Sequence, residues 1–142
     1  MLTRPSLTIQ RHINASPEKV WRAWTDPAQI AAWWTPMGNK VVHAEMDVRV
    51  GGRFHVIMHA PDGGTNDVSG EYREVVPGTK LVFTWAWLAT PAHESLVTIV
   101  LRRDGDATLL TLTHEQFFDE AARDSHHAGW TDVLDTLERL FA

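Results

Sequence analysis

The sequence ends in FDEAARDSHHAGWTDVLDTLERLFA, residues 118–142, and this stretch decides the fold. Its large apolar residues recur at steps of three and four, which places them on one stripe of a helix: Trp130, Val133, Leu134, Leu137, Leu140 and Phe141. The acids Asp119 and Glu120 favour a helix start near Asp119. Gly129 costs about 1 kcal/mol relative to alanine inside a helix, so we expect another surface to approach closely there. The apolar stripe also needs a partner surface, which the rest of the chain must supply.

The residues before this helix mostly alternate between apolar and polar types, which is typical of strands buried on one face. Leu7, Ile9 and Ile13 mark a first strand, in which Arg11 interrupts the apolar face. In the stretch Lys40 to Val50 we expect an inner face of Val42, Ala44, Met46, Val48 and Val50, with His43, Glu45, Asp47 and Arg49 outside. The later strands carry inner-face residues of the same kind: Phe54, Val56, Met58, Val68, Gly70, Tyr72, Phe83, Trp85 and Trp87. Tight glycine and proline turns separate these strands, so we expect seven antiparallel strands in all.

Two short helices are predicted between the first two strands. Ser16 and Asp26 each precede a proline, and this pair is typical of an N-cap followed by the first helical position. The apolar residues of these helices are Val20, Ala23 and Trp24 in the first and Ile30, Trp33 and Trp34 in the second. Thr35-Pro36 ends the second helix, because the residue before a proline avoids helical backbone angles.

The last hairpin can be placed in register from its turn. With Gly105-Asp106 as a two-residue loop, Leu101 faces Leu110, Ile99 faces Leu112 and Val97 faces His114. His114 is then predicted to point inward, with the threonines of both strands gathered on the outer face.

Composition excludes several classes of function. The 142 residues include no cysteine, which rules out disulfides, thiolate metal sites and a cysteine nucleophile. The net charge of -5 and the scattered basic residues argue against binding to nucleic acid. The amino terminus lacks the apolar run of a signal peptide and no segment is long enough to span a membrane, so we expect a cytoplasmic protein. Seven tryptophans are the compositional oddity, suited to a core or to a pocket for flat ligands.

The order of elements resembles the helix-grip fold of the START-like (SRPBCC) superfamily, which includes the birch-pollen allergen. Several local motifs are similar to the bacterial family named after the activator of heat-shock protein 90 ATPase: Ser16-Pro17-Glu18-Lys19-Val20-Trp21, Asp26-Pro27 leading to Trp33-Trp34-Thr35-Pro36, Asp47-Val-Arg-Val-Gly-Gly-Arg-Phe54, Gly70-Glu-Tyr72, Leu81-Val-Phe-Thr-Trp85 and His127-Ala-Gly-Trp130. The resemblance implies an α+β domain over residues 1–142, with a curved seven-stranded antiparallel sheet around the long C-terminal helix and a hydrophobic cavity between them.

The leading functional hypothesis is binding of a small hydrophobic or aromatic ligand in that cavity. The inward residues predicted to contact the ligand are Met46, Phe54, Met58, Tyr72, Trp85, Ile99, Leu112, His114 and Trp130. Plain core packing is the alternative for the apolar members of this set. Tyr72 and His114 are the polar candidates for orienting a ligand hydroxyl or carbonyl, although Tyr72 also fits a core tyrosine.

The sequence is also compatible with two other functional hypotheses. The superfamily includes aromatic polyketide cyclases, so His114 or Tyr72 would be the catalytic candidates in a cyclase-like or hydratase-like enzyme. A protein-interaction module is the third hypothesis, with Trp33 or Trp34 exposed as anchors. The eukaryotic co-chaperone carries a further amino-terminal domain, which 142 residues leave no room for, so we do not carry chaperone activation over. A homodimer is compatible with the sequence.

The histidines invite a metal hypothesis that their spacing does not support. His126 and His127 are adjacent, and neighbouring residues on a helix point about 100 degrees apart. His114 and Glu115 point to opposite faces of a strand. Structural zinc sites normally need four convergent ligands, so we expect neither a metal nor another cofactor. The outer face that carries Glu45, Asp47 and Arg49 is interpreted as a solvated sheet surface.

Overall fold

The computed structural model describes residues 4–142 of the chain. The predicted domain, residues 1–142, therefore begins with three residues that lie outside this range. The elements are β1 (Leu7–Ile13), α1 (Pro17–Thr25), α2 (Pro27–Trp33), a 3-10 turn (Pro36–Gly38), β2 (Lys40–Met46), β3 (Arg53–His59), β4 (Thr65–Val76), β5 (Lys80–Trp87), β6 (Ser95–Asp104), β7 (Ala107–Glu115) and α3 (Glu120–Leu140). None of the helices in the described part of the chain combines the length and the apolar character needed to cross a membrane.

The strands form one curved antiparallel sheet in the order β1-β7-β6-β5-β4-β3-β2, and α3 packs on its inner face. This arrangement is the helix-grip fold, so the predicted α+β class is confirmed. The predicted register of the last hairpin is also confirmed, with Leu101 paired to Leu110 and Val97 paired to His114. A two-residue loop left no alternative register, because each strand has one apolar face to bury.

Side-chain caps set the starts of all three helices. Ser16 Oγ accepts a hydrogen bond from the Lys19 amide at 3.3 Å, and Asp26 Oδ1 accepts from the Ala28 amide at 2.9 Å. Asp119 Oδ1 accepts from the Ala122 amide at 2.8 Å, which confirms the predicted start of α3. These bonds satisfy amide groups that have no partner inside the helix.

The apolar stripe of α3 packs on the sheet, with one exception. Trp130, Val133, Leu134 and Leu137 are buried, as predicted. Leu140 is exposed, because it lies at the edge of the stripe in the final turn. Arg11, which interrupts the apolar face of β1, forms an ion pair with Asp135 of α3 and lies 3.6 Å from Glu138. The charge on the inner face of β1 therefore ties the edge of the sheet to the helix.

The predicted faces of the stretch Lys40 to Val50 are confirmed at Ala44, Met46 and Val48 and are wrong at Val42 and Val50. A bulge between Val41 and His43 inserts one extra residue, so that Val41 takes the inner position and Val42 is exposed. The strand ends at Met46, and Val50 is exposed in the following turn. A bulge leaves two residues opposite one on the partner strand, which shifts the alternation without leaving a mark in the apolar pattern.

Candidate functional site

A cavity of about 340 Å³ lies between α3, the 3-10 turn and strands β3 to β5. We call it the aromatic cavity. Four tryptophans line it, together with small, apolar and uncharged polar residues: Trp34, Trp85, Trp87, Trp130, Pro36, Met37, Met58, Val133, Gly129, Asn39, Asn66, Ser125 and His126. Met37 and Asn66 are exposed, so the aromatic cavity reaches solvent at their edge. Its volume lies at the lower end of the ~300 to 1,000 Å³ typical of small-molecule sites.

Hydrogen bonds to His114 determine how one wall of the aromatic cavity is held. The indole N–H of Trp130 donates to His114 Nδ1 at 2.9 Å, so Nδ1 carries no proton. His114 Nε2 must then be the protonated nitrogen, and it donates to Ser95 Oγ at 2.7 Å. Ser95 Oγ donates in turn to the Trp85 carbonyl at 3.3 Å. Both ring nitrogens of His114 are therefore engaged inside the protein, and neither is free to take a proton from a ligand.

His126 holds two further indoles from α3. Its Nδ1–H donates to the Ala122 carbonyl at 2.7 Å, one helical turn earlier. This leaves Nε2 as an acceptor, and the indole N–H groups of Trp87 and Trp85 donate to it at 3.0 and 3.3 Å. We call the set Trp85, Trp87, Trp130, His114 and His126 the indole–imidazole network. It fixes three of the four tryptophans of the aromatic cavity, so hydrogen bonds within the protein hold these walls in place.

Burial keeps both histidines of this network neutral. Loss of hydration, followed by repulsion from His126, lowers the pKa of His114 to about 2. Burial also lowers the pKa of His126, although the bond to the Ala122 carbonyl acts in the opposite direction. Protonating either acceptor nitrogen would break a bond from an indole N–H, since that donor has no lone pair to offer.

The structure distributes the predicted ligand-contacting residues over three places. Met58, Trp85 and Trp130 line the aromatic cavity. Met46, Phe54 and Tyr72 line a separate void of about 10 Å³, which Trp34 divides from the aromatic cavity. Ile99 and Leu112 lie in the packed core, and His114 lies behind Trp130. Only the first of these groups shares a space large enough for a ligand.

Tyr72 lies in an apolar environment between two phenylalanines. Its ring centroid is 5.9 Å from that of Phe54 and 6.1 Å from that of Phe83. Burial, followed by the nearby charge of Asp47, raises the pKa of the Tyr72 hydroxyl. The hydroxyl therefore stays protonated, which suits a core tyrosine or a hydrogen-bond donor.

Sequence reasoning missed several residues of the aromatic cavity. Trp33 and Trp34 are 0 and 3 % exposed, so the expectation that they are surface anchors is wrong. Trp33 N–H donates to the Ala23 carbonyl, and Trp34 lines the aromatic cavity. The sequence predicts no place for His126 in the aromatic cavity, although its position four residues before Trp130 puts both on one helix face. That four-residue spacing is the feature of the sequence that could have placed His126 beside Trp130.

Gly129 lines the aromatic cavity without the close approach that the sequence suggested. A Cβ atom built at this position has one neighbour, Pro36 Cβ, at 4.0 Å. The expectation of a tightly packed partner surface is therefore wrong, and an alanine fits here without displacing other atoms.

We accordingly expect Gly129→Ala to stabilise the protein. Alanine is favoured over glycine inside a helix by about 1 kcal/mol, and the added methyl group meets open space. Urea unfolding followed by far-ultraviolet circular dichroism measures the change in the free energy of unfolding. A loss of stability would show that the backbone at Gly129 requires the absence of a Cβ atom.

Both the sequence and the fold of the chain are similar to those of known proteins. The sequence model of the family described as activator of Hsp90 ATPase homolog 1-like protein matches residues 14–142. A crystal structure of a protein from Chromobacterium violaceum is similar at 28% identity and a TM-score of 0.86, over 96% of each chain. The AHSA1 protein from Silicibacter pomeroyi is similar at 27% identity and a TM-score of 0.86, again over 96% of each chain. No curated protein matches the sequence.

Proposed function

The chain belongs to the family of activator of Hsp90 ATPase homolog 1-like proteins, and we propose that it binds a small, uncharged, planar aromatic molecule in the aromatic cavity. The observation that carries this proposal is the wall of four tryptophans, three of them held by the indole–imidazole network. Indole rings offer flat apolar faces, and aromatic pairs add about 0.5–1.5 kcal/mol beyond the burial of their area. A preformed wall also avoids the entropic cost of ordering these side chains on binding.

The lining favours an uncharged ligand. Within residues 4–142, no Asp, Glu, Lys or Arg side chain lines the aromatic cavity. A charged group that enters such a space loses its hydration and finds no opposite charge, which is strongly unfavourable. Fatty-acid carboxylates and cationic amines are therefore poor occupants compared with neutral phenols and ketones.

One polar group at the rim is placed to orient the ligand. Asn39 Nδ2 donates to the Pro36 carbonyl at 2.7 Å, and Asn66 Nδ2 donates to Asn39 Oδ1 at 2.9 Å. These bonds fix the amide of Asn66 and leave its Oδ1 available as an acceptor. A ligand hydroxyl or N–H at the open side of the aromatic cavity is the matching group.

The proposal is tested with two probes that share a ring system and differ in charge, 2-naphthol and 2-naphthoate. We expect 2-naphthol to bind saturably in calorimetric and tryptophan-fluorescence titrations, and 2-naphthoate to bind at least about tenfold more weakly because its carboxylate would be desolvated. Palmitate serves as a long-chain comparison. Equal affinity for the phenol and the carboxylate, or saturable binding of palmitate alone, would contradict the proposed ligand class.

Two variants locate the binding site. Gly129→Leu directs a branched side chain into the aromatic cavity from a position with free space, so we expect it to abolish 2-naphthol binding while the fold is kept. Trp21→Leu is the matched control, since Trp21 is a half-buried tryptophan that lines a different surface depression with Glu18 and Arg103. If the two variants weaken binding equally, the ligand does not bind in the aromatic cavity.

A further inference from the structure

The outer face of the sheet brings together a second group of side chains, none of which lines the aromatic cavity. His43 and Glu45 follow the bulge in β2 and lie two residues apart on the outer face, as the alternation of a strand predicts. Glu45 pairs directly with His55 of β3. Within residues 4–142, these three residues offer ligand atoms that all lie within 4.8 Å of one another.

We propose that His43, Glu45 and His55 form a binding site for a divalent transition-metal ion of the Zn²⁺ class. Two imidazole nitrogens and one carboxylate are a ligand set that Zn²⁺, Co²⁺ and Ni²⁺ accept, whereas Mg²⁺ and Ca²⁺ require oxygen ligands. Three protein ligands leave a coordination position for water, as in open zinc sites. All three side chains reach solvent, which provides the entry path.

Asp67 of β4 supports this assignment by orienting His55. Its Oδ1 lies 2.8 Å from His55 Nε2, and its side chain is 18 % exposed. A carboxylate can only accept, so Nε2 carries the proton and Nδ1 is left with the lone pair that a metal needs. A histidine that donates its other N–H to a carboxylate is the usual arrangement around protein-bound metals, and it raises the basicity of the ligating nitrogen.

The remaining geometry fits an ion that draws the ligands together. His43 Nε2 lies 3.3 Å from Glu45 Oε1, and the ring centroids of His43 and His55 are 5.6 Å apart. Zinc ligands lie about 2.0–2.2 Å from the ion, so the more widely spaced atoms must move inward. Rotation of exposed side chains supplies that movement without changing the backbone. The bound ion would link the edge strand β2 to β3.

The test uses the full chain without a histidine tag. Titration with Co²⁺, followed by its visible absorption, and competition with Zn²⁺ are expected to give one site per chain. His43→Ala and His55→Ala should each weaken binding at least about tenfold, and Asp67→Asn by about 10- to 100-fold as an orienting partner. Zn²⁺ should also raise the midpoint of thermal unfolding of the unsubstituted protein, because it binds the folded state.

His12→Ala is the matched control. His12 is also an exposed histidine near a carboxylate, with Nε2 at 3.5 Å from Asp104, and belongs to no three-residue group in the described chain. We expect this variant to bind Co²⁺ like the unsubstituted protein. Absence of binding by the unsubstituted protein, or equal loss in the His12, His43 and His55 variants, would overturn the site as adventitious binding to surface histidines. 2-Naphthol titrations should be unaffected by Zn²⁺, so the two proposals fail separately.

Discussion

Acidification from about pH 7 to about pH 4 is expected to remove about 3 kcal/mol of stability through His114 alone. Burial lowers the pKa of this imidazole from 6.5 to about 2 in the folded protein. The unfolded chain therefore takes up a proton on His114 well before the folded protein does. The contribution of His114 to the free energy of unfolding is fully present above the unfolded pKa of about 6.5. It decreases as the pH falls from there towards the folded pKa. His126, whose pKa is also lowered, adds to the loss in the same direction.

The contribution of His114 can be separated from that of the carboxylates with His114→Gln. Glutamine offers one acceptor for the Trp130 N–H and one donor for Ser95 Oγ, but it does not titrate. We expect the stability difference between the unsubstituted protein and this variant to shrink by about 3 kcal/mol between about pH 7 and about pH 4, measured by urea unfolding. An unchanged difference, or an NMR titration of the His114 ring with a midpoint near its ordinary pKa, would contradict the prediction.

Gly70→Ala is expected to destabilise the protein by about 3 kcal/mol or more, or to prevent folding. A Cβ atom at this position would lie 1.8 Å from the Thr84 carbonyl oxygen and 2.5 Å from the Phe54 ring. Backbone atoms cannot give way as a flexible side chain does, so β4 and β5 would have to separate. Strands accept glycine at points where another backbone approaches this closely.

The structure explains why β5 comes so near to Gly70. The Glu71 amide donates to Thr84 Oγ1 at 2.8 Å instead of to a backbone carbonyl, and the register shifts between Tyr72 and Glu74. Urea unfolding and the yield of soluble protein measure the effect, with Gly129→Ala as the matched glycine-to-alanine control that is expected to stabilise. Gly70→Ala with unchanged stability would mean that the two strands separate at little cost.

The fold was largely predictable because its signals are local. The stripe of α3, the caps at Ser16, Asp26 and Asp119 and the loop at Gly105-Asp106 each depend on residues a few positions apart. Two-residue periodicity then placed most inner residues of the strands correctly. It failed at Val42, because Val41 and Val42 fit either alternation and the inserted residue gives the inner position to Val41, while Ala44 and Met46 keep their predicted face.

The residues of the aromatic cavity were less predictable. Met58, Trp85 and Trp130 line it because the strand and helix periods place them inward. The same periods place Ile99 and Leu112 inward, and the structure packs both in the core. Periodicity predicts which way a side chain points, but not whether it meets packed atoms or a cavity. Which inward residues face a void depends on the curvature of the sheet and the path of α3.

The sequence by itself determined the helix-grip architecture, the inward direction of His114 and the aromatic character of the interior, since periodicity, caps and turns act over short distances. Tertiary structure alone decided which groups meet. The indole of Trp85 reaches His126 across 41 residues of chain, and His55 meets Asp67 across two strands. Packing of the helix and strands brings such hydrogen-bond partners together. The sequence around one partner does not indicate which residue the other will be. The protonation states of His114 and His126, and both proposed sites, depend on these tertiary contacts.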